Sequence, residues 1–198
     1  MEKNYLIPAS IILSTIVVVY GWTNANQKLV PNGKNNIESL PIANQMIELP
    51  IVWSNLGAQM INAGVIDRPQ FETLYESRGG MTNSEKQLLE DLQNGNLKAN
   101  QENAGLLLNL FWAFGLSNKN EILEKGPMAD PKYGSPDRFA STGGWTLAKG
   151  DTMNHYSKHL FVVLTPEQQA LVEQVSKNIY RPCCNNSTYF PDCNHGMA

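Results

Sequence analysis

The sequence predicts a mostly α-helical protein: an N-terminal membrane-spanning or signal-anchor helix, a polar linker, then a helical domain. Three observations carry that prediction. An uncharged apolar run extends from Tyr5 to Trp22. Helix-capping signatures recur through the body of the chain. A long Gly/Pro loop is followed by a C-terminal tail that gathers Cys and His. The chain has 198 residues, 42% of them hydrophobic. Setting the leader and linker aside leaves about 155 residues, enough for one domain with its own core.

Residues 1–22 read as a membrane anchor or signal peptide. The run YLIPASIILSTIVVVYGW holds no charge. As a helix it would span roughly 27 Å, close to the hydrocarbon thickness of a bilayer. Lys3 precedes it, and Tyr5, Tyr20 and Trp22 stand where interfacial aromatics belong. Thr23-Asn24-Ala25 offers a small-residue cleavage site, so a removed signal peptide is the alternative. Either reading places the folded part outside the cytoplasm: membrane-anchored in the cell envelope, or secreted if the segment is cleaved. Residues 23–44 form a polar, Asn-rich linker with a turn at Pro31-Asn32-Gly33 and a stop at Pro41.

Residues 45–198 read as the helical domain. Pro50 suits the first turn of a helix running to Asn62, with Ile51, Val52, Leu56, Met60 and Ile61 as its apolar stripe. Asp67 caps a short helix through Ser77, closed by Gly79-Gly80. Thr82-Asn83-Ser84-Glu85 is a capping box for a helix ending at Asn94-Gly95. Asn100 caps Gln101 to Leu116, which has no polar face and is expected at the centre of the core. A brief helix near 119–125 ends at Gly126-Pro127. Residues 126–150, dense in Gly and Pro, form a long loop of the kind used as a lid, a binding loop or a plain surface excursion. Asp151-Thr152 can cap a turn carrying His155 and His159. Phe161-Val162-Val163-Leu164 is β-prone but short. Thr165-Pro166-Glu167-Gln168 opens a helix to about Tyr180 that is expected to bury Leu171, Val172, Val175 and Ile179. Gly196-Met197-Ala198 reads as the beginning of a helix, so the domain is expected to continue beyond it.

All three cysteines and all three histidines lie from His155 onward. Cys183, Cys184, Cys193 and His195 crowd into the tail, and His155 and His159 stand four residues apart. Thiolate and imidazole are the donors that zinc and copper prefer. Pro182 ends the preceding helix, so Cys183 and Cys184 leave a rigid element. Pro191-Asp192 turns the chain back, and in an extended segment Cys193 and His195 would face the same side. The six residues are the candidate ligands of a transition metal ion. The spacing matches neither Cys-x-x-Cys zinc motifs nor Cys-x-x-Cys-His haem attachment. Adjacent cysteines usually point apart. Asp192 reads first as a turn former and second as a ligand, and Arg181 as a cation able to favour thiolates. The tail resembles Cys-rich motifs of bacterial envelope proteins, and that likeness implies no function.

Three uses of the cysteines stay open: a metal site, a structural disulfide with one free thiol, and thiol redox chemistry. His-Glu-x-x-His is absent, and no nucleophile elbow stands out, so catalysis is not indicated. The formal net charge is -3 with no basic run, which excludes the footprint of a nucleic-acid binder. The expected role is therefore capture, transfer or sensing of a metal by a membrane-tethered protein. The alternatives are a non-catalytic envelope protein that meets a protein partner and a thiol–disulfide redox protein.

Overall fold

A computed structural model of the chain describes residues 45–90 and 93–198. The leader and linker predicted for 1–44 lie outside the described residues. Among the described residues no helix is long and apolar enough to cross a membrane. They form one helix-rich unit with some strands.

The first element departs from expectation. Ile47–Ser54 is a strand, β1, where a helix from Pro50 was predicted. Ile47, Ile51, Val52 and Trp53 are β-branched or aromatic and favour extended backbone. Their spacing also fits a helix, and only a distant partner decides between the two. That partner is Gln93–Ala99, β2, which pairs antiparallel with β1 (Ile47 opposite Ala99, Glu48 opposite Lys98) with bulges beyond. Only Trp53 of β1 is buried; its Nε1–H donates to the Leu88 carbonyl at 2.9 Å. Helix α1 (Leu56–Asn62) follows. A Cβ on its Gly57 would stand 1.8 Å from the Leu88 oxygen, so a residue without a side chain is required there.

The caps form as expected. Asp67 accepts from the Gln70 amide at the start of α2 (Arg68–Glu76), and Thr82 and Glu85 complete a capping box at α3 (Asn83–Gln87). Helix α3 stops at Gln87 instead of reaching Asn94. Leu88 and Leu89 turn into the core, and the chain then enters β2. Helix α4 (Ala104–Ser117) is the central core helix. Leu106, Leu107, Leu110, Ala113 and Leu116 are buried among Trp53, Met60, Phe71, Met128 and Trp145. The helix begins at Ala104, three residues later than the expected Gln101, because Asn100 and Asn103 exchange side-chain-to-amide hydrogen bonds ahead of it.

Helix α5 (Glu121–Lys125) is capped by Asn120, and the Gly/Pro-rich segment comes next. It is not structureless. Three 3-10 turns, Pro127–Ala129, Pro131–Tyr133 and Pro136–Arg138, use each proline in a first-turn position. Trp145 pins the segment to the core: it is 1% exposed, its Nε1–H donates to the Val65 carbonyl, and its ring meets Trp112 edge-on.

Helix α6 (Pro166–Asn178) carries the predicted Thr165–Gln168 capping box. Its expected burial is corrected: Leu171, Val172, Val175 and Ile179 are exposed. Periodicity reveals an apolar stripe, not whether another element covers it. After α6, β3 (Tyr180–Arg181) and β4 (Asn186–Ser187) make a small hairpin. Helix α7 (Asn194–Met197) ends the described chain and packs on α4. A Cβ on Gly115 of α4 would approach the Met197 oxygen to 1.9 Å, so Gly115 sets the closeness of that packing.

Candidate metal centre

The tail is fastened at both ends before it reaches any sulfur. Thr188 donates from its amide to the Ile179 carbonyl and from its hydroxyl to the Ser176 carbonyl, tying β4 to the end of α6. Phe190 packs between Tyr133 and Phe139 of the 3-10 segment. The Ser141 amide donates to the Asp192 carbonyl. Asn185 takes positive φ (53°), which closes the turn between β3 and β4; asparagine tolerates that conformation. Cys183 and Cys184 ride on this turn.

Arg181 organises what lies between. Its residue is 6% exposed. Nη2 donates to Asp192 Oδ1 at 2.9 Å, to the Phe190 carbonyl at 2.6 Å, to the Ser187 carbonyl at 3.2 Å and to Asn186 Oδ1. Nη1 donates to Cys193 Sγ at 2.7 Å and lies 3.7 Å from Cys184 Sγ. Nε is buried without a partner among the described residues. A Cβ on Gly196 would come within 2.3 Å of Nη1, so the glycine lets the guanidinium lie against α7. Burial works against the Arg181 charge. Asp192 and the two sulfurs more than offset it and hold its pKa above the ordinary arginine value.

The sulfurs form a short row. Cys184 donates toward Cys193 across 3.4 Å, and Cys183 Sγ lies 3.6 Å from Cys184 Sγ. Cys183 is exposed; the other two are half-buried. Hydrogen bonding to Cys193 and to Cys183, reinforced by burial and by charge on Cys193, pushes the Cys184 thiol up to about 12 despite nearby Arg181. Cys184, Asp192 and Cys193 each present a donor atom within 4.8 Å of the others, close enough to hold a metal ion. Asp192 Oδ2 accepts from Asn186 Nδ2 at 2.8 Å, which fixes the carboxylate beside the thiols. Two thiolates on a tetrahedral zinc, at about 2.3 Å each, stand roughly 3.8 Å apart. The Cys184 and Cys193 sulfurs need open by only a few tenths of an ångström.

The six residues singled out in the sequence do not form one cluster. His195 is exposed and lines an apolar groove of about 310 Å³ with Phe114, Val172, Ile179 and Met197. The cause is local: the chain turns helical at Asn194, so Cys193 and His195 do not share the face that an extended segment would give them.

His155 and His159 form their own unit. Thr152–Asn154 is a 3-10 turn capped by Asp151, and Ser157 at φ 51° folds the chain back. His155 Nδ1 stands 3.1 Å from His159 Nε2, and His155 Nε2 stands 3.3 Å from the Lys149 carbonyl. A carbonyl only accepts, so the neutral His155 carries its proton on Nε2 and accepts at Nδ1 from His159. The His159 ring also stacks on Phe161, at 5.1 Å between centroids. Burial, then the neighbouring His155, lowers the His159 pKa. Neither imidazole belongs to the group around Cys184.

Sequence reasoning named the thiols and marked Arg181 and Asp192 as candidates for a role. It missed Asn186 and Gly196. The close Asp192-Cys193-Asn194-His195-Gly196 grouping was the available signal, since a glycine beside donor residues often marks a close approach.

No family model matches the chain, nor does any curated protein or any solved structure.

Proposed function

We propose that this protein binds a soft or borderline transition metal ion, zinc or Cu(I), through Cys184, Cys193 and Asp192. The carrying observation is the convergence of two sulfurs and one carboxylate within 4.8 Å of each other. Cys183, exposed and with its Sγ 3.6 Å from that of Cys184, stands outside this group as a neighbouring sulfur. Two thiolates and a carboxylate around a divalent ion carry one net negative charge, and Arg181 balances it. Three protein donors with an open position suit uptake and hand-over better than a closed structural site. Capture or transfer is thus favoured over hydrolysis, since among the described residues no further carboxylate or imidazole joins the group as a general base. Together with the apolar leader, this gives a membrane-tethered metal carrier working outside the cytoplasm.

Metal uptake must displace the Cys184 proton. Apparent affinity therefore rises with pH, about tenfold per unit for each proton released. Zinc titration of the reduced full-length protein tests the reading. It predicts one equivalent bound, with proton release into weakly buffered solution. Binding of less than a tenth of an equivalent at micromolar protein would reject it.

A further inference from the structure

The three sulfurs lie in a row that runs from solvent to the guanidinium: Cys183 exposed, Cys184 at 3.6 Å from it, Cys193 at 3.4 Å from Cys184 and 2.7 Å from Arg181. A metal site does not require such a row. The row has the parts that exchange with a disulfide uses: one solvent-accessible sulfur, and further sulfurs within reach of it in sequence.

We infer that Cys184 and Cys193 are a reversible dithiol–disulfide couple, with Cys183 as the sulfur that first meets an external disulfide. The oxidant is the disulfide of a small thiol such as glutathione, or of a partner protein. The Cys183 thiolate attacks one sulfur of that disulfide, forms a mixed disulfide and releases one thiolate. Cys184, having given its proton to water, attacks the Cys183 sulfur and expels the second external thiolate. Cys193, its proton also passed to water, then attacks the Cys184 sulfur, leaving a Cys184–Cys193 bridge and a Cys183 thiolate. In the net reaction two protein thiols lose two electrons and two protons, and one external disulfide becomes two thiols. Resting at the Cys183–Cys184 stage is disfavoured, because a bridge between adjacent residues is strained.

Arg181 is what lets both forms keep the same fold. Apart from the sulfurs it holds Asp192, Asn186 and the Ser187 and Phe190 carbonyls, none of which changes on oxidation. Closure consumes two of the three metal donors, so oxidation ejects the ion; this part rests on the metal reading, while the exchange itself does not.

The test uses reduced, metal-free full-length protein equilibrated with reduced and oxidised glutathione, trapped by alkylation and mapped by peptide mass. The expected result is loss of two of three thiols, a Cys184–Cys193 bridge and a free Cys183, restored on reduction. The Cys183→Ser variant should reach the same bridge at least about fivefold more slowly, since its remaining sulfurs are less accessible. A bridge that includes Cys183, arrest at the mixed disulfide, or equal rates for variant and wild type would overturn the relay. In a parallel arm with zinc-loaded protein, oxidation should release the metal in step with the bridge. Bridge formation with zinc retained would overturn the ejection and leave the exchange standing. Absence of zinc binding together with a correct bridge would sink the metal reading alone.

Discussion

Two pairs of donor atoms sit at nearly the same separation and are chemically opposite. His155 Nδ1 and His159 Nε2 are 3.1 Å apart; Cys184 Sγ and Cys193 Sγ are 3.4 Å apart. His155 spends both ring nitrogens, on His159 Nε2 and on the Lys149 carbonyl, and His159 spends Nε2 on His155, with Phe161 closing one face of its ring. A metal would have to break that chain and replace it with two ligands. The sulfurs make only weak contacts with one another; Cys193 also accepts from Arg181, and Asp192 from Arg181 and Asn186, but thiolate and carboxylate keep further lone pairs where an imidazole nitrogen has only one. Proximity of donors is thus not a site. What matters is whether their lone pairs are already engaged and whether a third donor and charge balance come with them.

The comparison can be broken from either side. The largest effect on stability is expected at the hub. Asp192→Asn keeps the shape but leaves Arg181 without its counter-charge. It should cost about 2–3 kcal/mol in urea denaturation, somewhat less than a fully buried pair because Asp192 keeps partial solvent access. A loss under about 0.5 kcal/mol would mean that the carbonyls alone hold the guanidinium. Gly196→Ala comes next. Its methyl group would overlap Nη1 and should cost about 1–3 kcal/mol while lowering metal affinity, because the guanidinium must move. An unaffected metal affinity would show that Arg181 does not support the site. His159→Gln is expected to cost about 1 kcal/mol through loss of a single hydrogen bond and to leave metal binding intact.

The smallest effect is a pH signature at His159. The folded-state pKa of His159 lies below its unfolded value, so between the two the unfolded chain binds more protons. Stability contributed by the neutral ring is present above about pH 6.5 and declines as pH falls from there toward the folded pKa. Chemical denaturation from pH 7.5 down to 5 should show that decline in the wild type and a shallower one in His159→Gln. Equal slopes would mean that the ring is not held neutral by its surroundings.

What could be read from the sequence follows from how local each interaction is. Caps at Asp67, Thr82 and Thr165 were legible because a side chain there bonds the backbone three residues on. The core role of α4 was legible because no polar face was available. Strand β1 was not, since Ile51, Val52 and Leu56 fit either period and the deciding partner begins at Gln93. The exposed stripe of α6 was not, since periodicity is silent on what covers a face. In the site, residue type alone exposed the thiols. Arg181 as a hub was hidden because its partners, from Cys184 to Cys193, meet it only once the hairpin has formed. His195 misled because a two-residue spacing signals one face only in extended chain.

The most direct test of the account is a competition titration with zinc across four proteins: wild type, Cys184→Ser, Cys193→Ser and the double variant His155→Gln/His159→Gln. The account predicts one tight equivalent in the wild type and in the histidine variant, within about threefold of each other, and at least about a hundredfold weaker binding in each cysteine variant, at or beyond the loss seen on disturbing supporting residues of metal sites. Zinc binding that survives loss of either cysteine, or that disappears with the histidines, would contradict it.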